Sequence, residues 1–134
     1  MFLAIDGDST GRYIEKMILD NELEELTRFS LKLQRTISDF CKYIIQNSGN
    51  IIMAGGDNIL AEIPSSSYCE ILRGLEAISI EDYSFSIAVS ISLQGAYWGL
   101  KYVKATKIKM VEVRVLDNGK LQFVNICNTF ALDR

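Results

Sequence analysis

The chain has 134 residues, 49% of them hydrophobic, and carries 14 Lys+Arg against 17 Asp+Glu for a net charge of -3. That length suits one domain, residues 1–134, with a core of its own and is short for two, while the acidic balance argues against a stable DNA or RNA duplex partner. Small phosphorylated ligands stay open, because a few local cations or a metal ion hold triphosphates on an acidic surface, whereas the absence of histidine removes imidazole catalysis.

In chain order, Phe2-Leu3-Ala4-Ile5 is a short apolar run that ends at Asp6-Gly7-Asp8, the pattern of a buried strand delivering acids at its C-terminal end. From about Asn21 to Ser48, Leu26, Phe29, Leu33, Ile37, Phe40 and Ile44 step by threes and fours as on an amphipathic helix, with Gly49 as its stop. Ile51–Ala54 and Ile59–Ile63 read as a β-hairpin with a four-residue tip, Gly55-Gly56-Asp57-Asn58, and Pro64 ends it. Ser67 and Glu70 offer a capping box for a second helix with Ile71, Leu72, Leu75 and Ile78 on its apolar face.

From Phe85 to Leu93 the odd positions are apolar and the residues between them, Ser86, Ala88, Ser90 and Ser92, are small, which predicts a strand. A third helix is expected over roughly Ala96 to Thr106. A final hairpin, 109–116 and 121–126, turns at Asp117-Asn118-Gly119. The order β-α-β-β-α-β, with an extra helix and a C-terminal hairpin, is that of an α+β, ferredoxin-like domain in which two helices cover one face of an antiparallel sheet and leave the other open.

Such a fold hosts many activities, so the site decides. The expected topology brings Asp6 and Asp57 together at the sheet centre, and two carboxylates plus a backbone carbonyl such as that of Gly7 suit Mg²⁺, which keeps positions for water and phosphate oxygens. Gly55 and Gly56 leave the hairpin tip free of side chains for a nucleotide to approach. Ser9-Thr10-Gly11-Arg12 offers amide, hydroxyl and guanidinium donors for phosphate oxygens. Each acidic motif alone is also ordinary turn composition; the pair is the informative signal.

Lys101, Lys104, Lys107 and Lys109 read as a solvated face complementing a helix dipole, with Lys104 the one placed to reach a triphosphate. The small residues of the 85–93 strand leave room for a base on the open face, or serve close backbone packing; both readings fit. Cys41, Cys69 and Cys127 are far apart and odd in number, which points to free thiols rather than a disulfide framework or zinc site. No apolar run reaches the roughly 20 residues that span a bilayer, and Met1 leads into Phe2 without a basic leader segment, so a cytoplasmic protein without a membrane partner is expected.

Ile5-Asp6-Gly7-Asp8-Ser9-Thr10-Gly11-Arg12 together with Ala54-Gly55-Gly56-Asp57-Asn58 resembles the palm domain shared by GGDEF diguanylate cyclases, class III adenylyl cyclases and the polymerase-like subunit of type III CRISPR complexes. Above all it resembles the minimal CRISPR polymerase family, in which the palm stands alone, and the element order matches over nearly the whole chain. The resemblance implies a nucleotidyltransferase with Mg²⁺ or Mn²⁺ that turns nucleoside triphosphates, ATP first among them, into a cyclic dinucleotide or oligonucleotide. The signal would be read by a separate effector in antiviral defence. It implies Asp6 and Asp57 as metal ligands with the Gly7 carbonyl, and Lys104 on the phosphates; the motif chemistry itself sets Asp8, Ser9, Thr10, Gly11, Arg12, Gly55 and Gly56 around the nucleotide.

Asn58 departs from the double-acid form of the hairpin. It leaves open a palm that binds nucleotides without turnover, and Asp8 is the nearest acid to take over the missing role. A ferredoxin-like RNA binder has no support, because such domains set aromatics on their central strands where this chain has Ser and Ala. A homodimer is expected from the chemistry: closing a cyclic dinucleotide takes two sites, and a two-fold pair with open sheet faces opposed supplies them.

Overall fold

In the computed structural model, which describes residues 1–78 and 83–126, the chain runs β1 (Phe2–Gly7), α1 (Thr10–Leu19), α2 (Leu23–Gln46), β2 (Asn50–Gly55), β3 (Asn58–Glu62), α3 (Tyr68–Ile78), β4 (Phe85–Ser90), α4 (Leu93–Ala105), β5 (Met110–Val115) and β6 (Leu121–Asn125). The six strands form one sheet in the order β2-β3-β1-β4-β5-β6. The first four strands pair antiparallel in the ferredoxin-like arrangement, β1 between β3 and β4. β5 joins parallel to β4 and β6 closes the edge as an antiparallel hairpin.

Alternation along the strands divides the sheet into two faces. Leu3 and Ile5 of β1, Ile59 and Ala61 of β3, and Phe85, Ile87 and Val89 of β4 share one face. They pack there against Leu33, Ile37, Phe40 and Ile44 of α2 and Ile71, Leu72 and Leu75 of α3. This cluster is the main core. Each fully buried large aliphatic or aromatic side chain in it contributes on the order of 1.5–3 kcal/mol.

The opposite face is open over only part of its width, where a fully open face was expected. A parallel pair needs a crossover, and α4 makes it by lying across β4 and β5, where Val103 packs with Ala88, Val111 and Val113. The small residues serve this contact. A β-carbon at Gly95 would run into the Ser90 hydroxyl, and one at Gly99 would stand 2.6 Å from Ala88 Cβ. Ser90 Oγ donates to the Val113 carbonyl at 2.8 Å, and Ser92 accepts the Gly95 amide at 2.9 Å as the N-cap of α4. The strand therefore ends at Ser90 rather than Leu93. The β2-β3-β1 half of this face stays uncovered.

Three other expectations are corrected. Residues 10–19, of which only Thr10, Gly11 and Arg12 were singled out, with Ser9, as a phosphate-binding segment, form the helix α1; Tyr13, Ile14, Met17 and Ile18 give it an apolar stripe, although none of its residues is fully buried. The hairpin tip is Gly56-Asp57, two residues rather than four, with Gly56 at φ +59 in the left-handed region. Ser67 does not open α3 directly but closes a 3-10 turn, Ser65–Ser67, ahead of it. Cys41 and Cys69 are free and partly exposed, and Cys127 lies outside the described residues. Among the described residues no helix is long and apolar enough to cross a membrane.

Candidate active site

β1 and β3 place Asp6 opposite Asn58 in register, so the residue before Asn58, Asp57, stands beside the end of β1. The Gly7 amide donates to the Asp57 carbonyl at 3.0 Å and ties the hairpin tip to the strand end. Gly7 has no space for a side chain: a β-carbon there would run into the Tyr83 hydroxyl, 2.7 Å from Asp57 Oδ2 and 2.8 Å from Thr10 Oγ1. The two acids are thus brought together as the sequence predicts. Thr10, at the first turn of α1, donates its hydroxyl to Asp57 Oδ2 at 2.5 Å, so it holds an acid rather than pointing to open solvent. Asn58 Nδ2 reaches the other oxygen at 3.3 Å.

Lys104, in the last turn of α4, bridges this cluster: its ammonium is 3.1 Å from Asp6 Oδ2, 3.2 Å from the Gly7 carbonyl oxygen and 3.6 Å from Asp8 Oδ1. Asp8 faces the other way. Its oxygens accept from Ser84 at 2.6 Å and from Ser86, and Lys109 lies 3.3 Å away. Burial alone would raise the Asp8 carboxyl, but the bonds from Ser84, Ser86 and Lys109, with the lysine's charge, outweigh it and hold the group below the usual carboxylate range.

Two cavities meet at the acids. An apolar groove of about 520 Å³ runs over the uncovered half of the sheet, floored by Ala4, Asp6 and Leu60 and walled by Leu93, Tyr97 and Leu100 of α4. Gly55 lies at its rim with open space where a side chain would be. A polar cavity of about 450 Å³ lies on the far side of Lys104, lined by Asp8, Ser9, Arg12, Lys104, Thr106 and Lys109. Gly11, on the first turn of α1, has open space where a side chain would be. Lys101 instead caps the Tyr97 ring at 5.4 Å.

The donor set at the strand end, two carboxylates and a carbonyl oxygen, is hard and anionic, and an ammonium already sits against two of its members. Among the described residues no three acidic, His or Cys side chains cluster as a metal cage, but Mg²⁺ commonly takes one or two carboxylates and fills the remainder with water and phosphate. The residues fit such a cation. Sequence reasoning left Lys109, Ser84 and Ser86 outside the site; Lys109 was visible in the basic cluster, whereas Tyr83 had no pattern to mark it.

The model of the minimal CRISPR polymerase domain matches residues 2–114. The chain belongs to that family. A solved structure of a bacterial light-regulated adenylyl cyclase shares the fold with a TM-score of 0.56 at 10% identity, covering 84% of this chain and 73% of that one. No curated protein matches the chain. The family's palm-type fold is thus the one observed: the acid-bearing strand end and the Gly-Gly-Asp hairpin, Gly55 to Asp57, stand side by side.

Proposed function

We propose that this family member is a nucleotidyltransferase that uses Mg²⁺ or Mn²⁺ to join nucleoside triphosphates, ATP first among them, into a cyclic dinucleotide or oligonucleotide, releasing pyrophosphate. The observation that carries this reading is the position of the acids between two unlike cavities, the apolar groove at Asp6 and the cation-lined one beyond Lys104. A molecule with a flat apolar base and a polyanionic tail, laid across both, has its innermost phosphate beside Asp6 and Asp57.

Asp6, Asp57 and the Gly7 carbonyl would hold the cation, which when bound supplies charge neutralisation and alignment for in-line displacement. A 2′- or 3′-hydroxyl of one nucleotide attacks the α-phosphate of another; the new O–P bond forms as the bond to the β-phosphate oxygen breaks, pyrophosphate leaves and the hydroxyl proton passes to solvent water. Repeating the step closes the ring. Lys104 exchanges its carboxylate and carbonyl partners for phosphate oxygens, and Lys109 and Arg12 line the same cavity. The first amides of α1, from Thr10 on, add the positive end of a helix dipole. Little is asked of a protein base in phosphoryl chemistry of this kind.

Family membership supports an antiviral setting with a separate effector for the product. Two active sites suit a cyclic dinucleotide, so a homodimer is part of the proposal, with the uncovered half-sheets rather than whole sheet faces opposed; Met53, Leu93, Tyr97 and Trp98, all exposed, lie on or beside that side. Light scattering with and without a non-hydrolysable triphosphate tests this, and an active species that stays monomeric refutes it.

Asn58 favours a second reading, a palm that holds nucleotide without turnover, in which Asn58→Asp gains activity. Incubation with each triphosphate and Mg²⁺ or Mn²⁺, read by mass spectrometry and pyrophosphate release, separates the two. Binding with no pyrophosphate under any condition overturns the first.

A further inference from the structure

Tyr83 lies just ahead of β4, almost fully buried, its ring packed edge-on against Phe29 at 5.3 Å, Tyr13 at 5.6 Å and Phe85 at 5.2 Å between centroids. Three aromatic neighbours leave the ring one direction to point. The hydroxyl at its tip is buried and, among the described residues, has no hydrogen-bond partner. Buried polar groups nearly always have one, so an orphan calls for an explanation.

Its surroundings give one. The hydroxyl lies at the space left by the missing Gly7 side chain, where Asp57 Oδ2 and Thr10 Oγ1 also stand. Asp57 Oδ2 takes its bond from Thr10, and the phenol makes none to it. A phenol carries one O–H to donate and a carboxylate only accepts, so a bond between the two runs from Tyr83 to the acid.

We propose that Tyr83 is a positioning residue of the cation site, whose hydroxyl donates to the Asp57 carboxylate when that carboxylate turns to hold the cation. This rests on the reading of Asp57 as a cation ligand. A ligating carboxylate is itself hydrogen-bonded in well-formed sites, and losing such a partner typically weakens the metal by 10- to 100-fold. Thr10 already donates to Asp57 Oδ2, whereas the phenol, clamped by three rings, has its donor uncommitted.

The test is Mn²⁺ binding to the nucleotide-free protein, followed by the electron-spin signal of free Mn²⁺, alongside the melting temperature with and without the ion. Tyr83→Phe keeps the ring and removes the hydroxyl. It is expected to weaken Mn²⁺ about tenfold and to shrink the ion-induced rise in melting temperature, while the ion-free melting point stays level or rises. In an Asp57→Asn background Tyr83→Phe should add nothing. Wild-type Mn²⁺ affinity in Tyr83→Phe overturns the proposal, and so does an equal loss with and without Asp57. If Asp57→Asn itself binds Mn²⁺ as the wild type does, the cation-ligand reading fails instead. Should Tyr83→Phe not fold, Thr10→Val supplies the second measurement: a loss of Mn²⁺ affinity of tenfold or more there would make Thr10 the positioning donor and overturn the assignment to Tyr83.

Discussion

Glu112 and Asp57 are both carboxylates held by a hydroxyl, and the difference between their surroundings separates structure from chemistry. Glu112, 7% exposed on β5, accepts from Tyr68 at 2.8 Å on one oxygen and from Arg114 Nε at 2.6 Å on the other, so each oxygen has a donor, its charge has a partner and burial keeps other ligands away. Among the described residues Asp57 has a hydroxyl and one long amide contact and no cation of its own, and neighbouring Asp6 shares an ammonium with Gly7 and Asp8. The first carboxylate is closed to further partners. The second pair retains charge and acceptor capacity at the meeting of two cavities, which is what a cation and a phosphate require.

Substitutions should divide along that line. Asp57→Asn is expected to lower pyrophosphate release by about a thousandfold or more with the melting temperature unchanged or slightly raised, since a like charge is removed from beside Asp6 and Asp8. Retained turnover would put Asp57 in the same class as Glu112. Lys104→Met should cost about a hundredfold in turnover yet tighten Mn²⁺ on the free protein, because the competing ammonium is gone; weakened Mn²⁺ binding would show that Lys104 organises the acids rather than competing for them. Glu112→Gln should invert the pattern, losing about 1–3 kcal/mol in denaturant unfolding at unchanged turnover per folded molecule. Asn58→Ala should lower turnover by less than about tenfold, as its long bond to Asp57 suggests; a complete loss would make the amide part of the reacting site.

The acid-bearing strand and hairpin were legible because their signals are local: an apolar run ending in Asp6, and Gly56, which takes the positive φ that the turn needs. α2 was equally legible from one uninterrupted apolar stripe. α1 was missed although Tyr13, Ile14, Met17 and Ile18 repeat on one face, because the run is only ten residues long and carries Gly11 in its first turn. The small residues of β4 read equally well as space for a ligand or as a seat for a helix; the four-residue spacing of Gly95 and Gly99 on the helix was the unused clue that decides for the seat. Tyr83 was illegible in principle, because its meaning lies in what Gly7 leaves out on another strand.

The depth at which α4 sits has a consequence of its own. Leu93, Tyr97 and Leu100 wall the apolar groove and Lys104 borders the polar cavity, and their spacing of four, three and four residues puts them along one stripe of the helix. From Tyr97 to Lys104 the rise is about 10.5 Å at 1.5 Å per residue. On the proposed function the helix would work as a gauge, fixing how far a ligand's apolar end stands from its anionic end, independently of the atoms in either. Because Gly95 and Gly99 set that gauge against the sheet, a bulkier residue at either position would lift both ends together, so the protein would lose its grip on every ligand of that length at once instead of exchanging one base for another.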